Sequence, residues 1–70
     1  MRYNHKHHLY TVAEVGEILK LSTITIYKYI REKKLEAIEF GRHYRISAVS
    51  LEKFIQNHTR HVYPEGGQNE

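Results

Sequence analysis

The stretch Tyr10-Thr-Val-Ala-Glu-Val-Gly-Glu-Ile-Leu-Lys20-Leu-Ser-Thr-Ile-Thr-Ile-Tyr-Lys-Tyr-Ile-Arg31 contains two short helical patterns, Thr11 to Leu19 and Ser22 to Arg31, with only Lys20 and Leu21 between them. Helices joined this tightly must cross at a steep angle, which leaves the second exposed along its length. Their starts carry a local signal that recurs a third time further on. An apolar residue precedes Thr or Ser, and another apolar residue follows four places after the hydroxyl: Tyr10-Thr11 with Val15, Leu21-Ser22 with Ile26, and Ile46-Ser47 with Leu51. The hydroxyl accepts an N–H of the first turn, and the apolar pair is placed to pack across it as a hydrophobic staple. Glu14 completes a capping box with Thr11.

The apolar period within each helix predicts its buried side. In the first, Val12, Val15, Ile18 and Leu19 fall together, with Glu14 and Glu17 toward water, and the helix is expected to stop near Lys20. Gly16 costs roughly 1 kcal/mol relative to Ala inside a helix, which points to close approach of the second helix. In the second, Ile26 and Ile30 form the inward pair, with Tyr29 half-buried. Thr23, Ile24, Tyr27, Lys28 and Arg31 are left for the other face.

Beyond Lys33-Lys34-Leu35 the period changes to two. Ala37-Ile-Glu-Phe40, Gly41-Arg42 and His43-Tyr-Arg-Ile46 read as a hairpin, with Gly41 supplying the positive φ of a type II′ turn. The expectation is that Ile38 and Phe40 share one face with Tyr44 and Ile46, and that Glu39, His43 and Arg45 point outward. A closing helix is expected over about residues 48–57, with Val49, Leu51, Phe54 and Ile55 inward and Lys53 and Gln56 exposed. The fold class is therefore mainly α with a small β-hairpin, in the order α-α-β-β-α, a winged helix-turn-helix.

Composition restricts what such a unit can do. The 70 residues are 40% hydrophobic and contain no cysteine. That is one domain at most, too small for a deep catalytic cavity beside a stable core, and disulfides and thiolate metal sites are excluded. No run is apolar enough for a membrane span or a signal-peptide core, so the expected location is cytoplasmic. The formal charge is +3, and it is unevenly placed. Lys20, Lys28, Arg31, Lys33, Lys34, Arg42 and Arg45 stand against Glu32, Glu36 and Glu39, so residues 20–46 net +4 and the remainder −1. A helix exposed beside a basic hairpin suits a polyanionic groove, and Ile24 between Thr23 and Tyr27 suits contact with thymine methyls. Lysines and arginines on exposed helices usually do nothing, but clustering on two adjacent elements argues against that reading here.

Residues 1–8 and 58–70 read as tails flanking a folded unit of residues 9–57. His5, His7 and His8 lack the preorganised geometry and further ligands of a structural metal site, so no metal or other cofactor is expected. Arg2 and Lys6 allow that tail to lie along DNA as a weakly basic arm. No Ser, His and acidic residue form a recognisable arrangement and no glycine-rich phosphate loop exists. Glu14 and Glu17 are better explained as helix carboxylates than as an acid–base pair, so an enzyme is not expected.

Taken together, these residues resemble the excisionase-type helix-turn-helix domain, a compact relative of the DNA-binding domain of MerR-type regulators. The likeness covers about residues 9–57 and rests on Leu9-Tyr-Thr-Val-Ala-Glu-Val15, Ser22 through Arg31, Lys34-Leu35, and Phe40-Gly-Arg-His-Tyr-Arg-Ile46. It implies a second helix in the major groove, through Thr23, Ile24, Thr25, Tyr27, Lys28 and Arg31, and a wing that touches the flanking backbone or minor groove through Arg42, His43 and Arg45. It also implies a recombination accessory factor that binds repeated sites side by side on double-stranded DNA, bends it, and directs an integrase toward excision. A small phage-type or MerR-like transcription regulator would need the same fold and face, and a winged-helix protein-protein interaction module is the alternative of another class. The chain departs from the pattern in two places. Thr23 and Ile24 stand where such domains are often basic, which removes bidentate arginine readout of guanine and shifts the expected preference toward A·T-containing sites. Arg42-His43 replaces consecutive arginines, so affinity is expected to rise mildly below neutral pH.

Overall fold

The computed structural model describes residues 8–60. In chain order the elements are β1 (Leu9–Thr11), α1 (Val12–Leu19), α2 (Thr23–Arg31), β2 (Ile38–Phe40), β3 (His43–Ser47) and α3 (Ala48–His58). Three helices and a small antiparallel sheet of order β1-β3-β2 make a winged helix-turn-helix. The first strand is an addition to the expected order. It pairs with β3 as Leu9↔Ser47, Tyr10↔Ile46 and Thr11↔Arg45, and Ala48 N–H donates to the His8 carbonyl at 3.0 Å just beyond.

All three helix starts form as the hydroxyl pattern requires. Thr11 Oγ1 accepts from Glu14 N–H at 3.0 Å, Ser22 Oγ from Thr25 N–H at 3.2 Å, and Ser47 Oγ from Ser50 N–H at 3.0 Å. The Glu14 carboxylate accepts from Thr11 N–H in return at 2.9 Å, so the capping box is complete. Each cap contributes about 1 kcal/mol. Tyr10 and Ile46 pack with the core as staples would, whereas Leu21 stays at the surface.

The core is Val12 and Val15 of α1, Ile26 of α2, Leu35 of the connection, Ile46 of β3, and Leu51 and Phe54 of α3, with Tyr29 and Ile30 packed against it. Ile18, Val49 and Ile55, expected inside, are exposed. Ile18 and Ile55 sit at the margins of their helices' buried stripes, and Val49 projects opposite Leu51, so the narrow core of three short helices does not reach them. α3 runs one residue past its expected end. His58 stacks on Phe54 with ring centroids 4.1 Å apart and meets Tyr29 edge-on at 5.8 Å. Residues 1–7 and 61–70 of the two expected tails, His5 and His7 included, lie outside the described residues.

The hairpin corrects the sequence-based assignment of its faces. Its register is Ile38↔Arg45, Glu39↔Tyr44 and Phe40↔His43. Directly opposed residues in an antiparallel pair share a face, and a two-residue turn makes Phe40 and His43 opposite. Ile38 and Phe40 therefore lie with His43 and Arg45 on the outward face, 42% and 52% exposed, while Tyr44 and Ile46 face the core with Tyr10. The signs of φ in the turn are as expected. Gly41 has φ +62°, and Arg42 stays at negative φ.

Candidate nucleic-acid interface

The crossing of α1 and α2 is set at Gly16. A Cβ built there would lie 2.8 Å from the Leu21 carbonyl oxygen, closer than real Cβ atoms approach, whereas Thr23 and Ile26 of α2 would be met at ordinary distances. What Gly16 accommodates is thus the turn backbone rather than the second helix. The same segment is tied by Leu21 N–H donating to the Gly16 carbonyl at 2.9 Å. α2 follows at once from its Ser22 cap and buries Ile26 completely.

With Ile26 fixed inward, the 100° advance per residue places Tyr27, Arg31, Ile24 and Lys28 within an arc of about 100° on the opposite side. All four are exposed, Ile24 at 78%. Thr23 is exposed on the flank of this arc toward the turn. Thr25 lies on the other flank, half-buried, with its hydroxyl 3.0 Å from Ser22 Oγ and so engaged in the cap.

The hairpin joins α2 through Tyr44, whose ring meets Tyr27 edge-on with centroids 6.2 Å apart. Tyr44, assigned to the core from sequence, is therefore also the residue that seats the exposed arc against the wing. Alternation carries no signal of that second contact. Arg42 and His43 are exposed at the hairpin tip, and Arg45, half-buried on the outward face, donates from Nη1 to the Tyr44 carbonyl at 2.9 Å. The fold brings Ile24, Tyr27, Lys28 and Arg31 together on one face. Arg42 and His43 stand at the free end of the hairpin, and Arg45 alternates to the side away from the tyrosine contact.

Among the described residues the one ion pair is Lys34 with Glu32 at 3.3 Å. Lys28, Arg31 and Arg42 thus have no described carboxylate in contact to compensate their charge, which suits attraction of a polyanion. The described residues hold no cluster of three or more metal-ligating side chains, and no helix among them is long and apolar enough to cross a membrane.

Caps, a tight turn, an exposed second helix and a wing define a winged helix-turn-helix domain, and residues 9–59 match the helix-turn-helix domain family. The chain belongs to that family. It is also similar to two Mycobacterium tuberculosis proteins, "Putative DNA-binding protein MT0521" of strain CDC 1551 / Oshkosh and "Putative DNA-binding protein Rv0500A" of strain ATCC 25618 / H37Rv. Each is 31% identical over 51 residues, which cover 73% of this chain and 65% of the relative. The chain thus matches somewhat less than two thirds of those relatives' length. No solved structure matches it.

Proposed function

We propose that this protein binds duplex DNA without catalysis, with α2 seated in the major groove and the hairpin on the flanking backbone or minor groove. The observation that carries this reading is the arc of Ile24, Tyr27, Lys28 and Arg31, exposed opposite a buried Ile26 and braced against the wing by Tyr44. Lys28, Arg31 and the wing residues Arg42 and Arg45 supply phosphate contacts, while Thr23 and Ile24 meet base edges and thymine methyls. The family match and the DNA-binding names of the two mycobacterial relatives support the same conclusion.

The biological role that fits best is an excisionase-like accessory factor. A lone domain of this size makes few phosphate contacts, so useful affinity comes from several copies side by side, which suits an architectural task such as bending DNA for an integrase. Location in the cytoplasm follows from that role.

The test is a salt titration of affinity for duplex DNA. Affinity should fall steeply with salt, and Lys28→Ala or Arg42→Ala should each reduce the slope by about one. No binding to any pool of duplex fragments at low salt would sink the proposal and favour a protein-interaction module. Footprinting on selected sites then separates roles: adjacent protected copies next to an attachment site and integrase gene support excision, and a single promoter site supports transcription control.

A further inference from the structure

Two residues other than glycine among the described positions adopt positive φ, and both are lysines: Lys20 at +59° and Lys33 at +61°. They occupy equivalent places. Lys20 N–H donates to the Glu17 carbonyl and Leu21 N–H to Gly16. Lys33 N–H donates to the Ile30 carbonyl and Lys34 N–H to Tyr29. Each set is the paired closure of a Schellman motif, in which the left-handed residue just past the helix is usually glycine. Any side chain there strains the backbone, and Asn tolerates the strain better than Lys does. Neither lysine repays it by packing, since both are exposed, and neither contacts a carboxylate among the described residues.

The remaining benefit is a cation at a defined place. For Lys33, complementing the helix dipole is a weak reason, because Lys28 and Arg31 already occupy the last turn of α2. For Lys20 that reason is open, because the last turn of α1 has no basic residue. Its surroundings supply another. Lys20 and Thr23 line one shallow recess with Gly16, Glu17 and Leu21, which places Lys20 beside the first residue of α2, on the flank of its exposed arc. The two lysines thus bracket α2. Its nine residues span about 13 Å, close to the roughly 12 Å width of the major groove.

We infer that Lys20 and Lys33 are backbone anchors, each holding a phosphate at one end of the helix seated in the groove. This rests on the DNA-binding reading and adds two contacts to it. Because phosphates carry no sequence information, the pair fixes where the helix sits and not which bases it selects.

The experiment compares Lys20→Gly, Lys33→Gly, Lys20→Gln and Lys33→Gln in the full chain, by thermal unfolding and by anisotropy of a labelled mixed-sequence duplex across a salt series. The glycine variants should unfold a few degrees higher, because the strain is relieved, and still bind more weakly. In all four the magnitude of the salt slope should fall by about 0.9, the value for one phosphate contact. The glutamine variants should lose the slope without the gain in unfolding temperature, which separates charge from conformation. Wild-type slope in all four variants overturns the anchors and leaves DNA binding standing. A wild-type protein that binds no duplex at low salt overturns both.

Discussion

The helix-turn-helix unit and the hairpin are both short, yet they are held in different ways. From Thr11 to Leu35 the backbone is fixed by contacts close in sequence: two hydroxyl caps, a glycine against the turn carbonyl, and two left-handed lysine closures. This segment supplies four of the seven core residues, three from its helices and Leu35 from the connection after them. The hairpin contributes only Ile46 to that core, and β2 contributes nothing, its two apolar residues lying on the outward face. One unit is a rigid platform, and the other is an arm positioned by its partners. Stability should therefore be concentrated in the platform, while both can carry function.

The largest expected contrast uses the same residue type in both units. Ile26→Ala removes a completely buried side chain and should cost about 2–5 kcal/mol. Ile38→Ala, on the outward face of β2, should cost about 0.5 kcal/mol. Urea denaturation with comparable m values decides this, and a large loss for Ile38→Ala would mean that something covers that face.

Next in size are the two glycines, which fail for different reasons. Gly16→Ala forces a Cβ against the Leu21 carbonyl, so the turn must move, at a cost of about 1–3 kcal/mol. The Ala helix-propensity gain of roughly 1 kcal/mol is set against that, so the net loss is at most about 2 kcal/mol. Gly41→Ala meets nothing within 4 Å, and its cost is torsional, about 1–2 kcal/mol from φ +62°. Chemical denaturation would rank the two, and amide exchange would locate them, with protection lost around Leu21 in the first and confined to β2 and β3 in the second.

The same division explains what could be read from the residues alone. Thr11, Ser22 and Ser47 announced their helices because a cap and the N–H that donates to it lie within one turn. The Ile26 side of α2 was legible because burial there follows a period. β1 was not, since Leu9–Thr11 is three residues long, its Thr11 already serves as a cap, and its partner β3 lies at the far end of the domain. The faces of β2 were misassigned because hydrophobicity suggested Ile38 and Phe40 inward, whereas the two-residue turn sets register by geometry and overrides that preference. Of the candidate interface, the exposed arc of α2 was legible from period. The role of Tyr44 in seating it was not, because a residue that touches both core and site has no signature in alternation.

The smallest expected stability effect falls where the functional effect should be sharpest. Ile24 is 78% exposed at the start of α2, so Ile24→Ala should change stability by no more than about 0.5 kcal/mol. Ala is also the better helix former, which tilts the sign toward stabilisation. A large exposed aliphatic residue on the arc opposite Ile26 adds little packing to the folded chain, and the proposed interface gives it something to touch. If that is a thymine methyl, the variant should keep its affinity for mixed-sequence duplex and its salt slope, because no charge is lost. Selection from random duplexes should then show a thymine preference at one position in the wild type that relaxes in the variant. An unchanged preference would remove Ile24 from base readout and leave the protein's selectivity to DNA shape and to neighbouring copies.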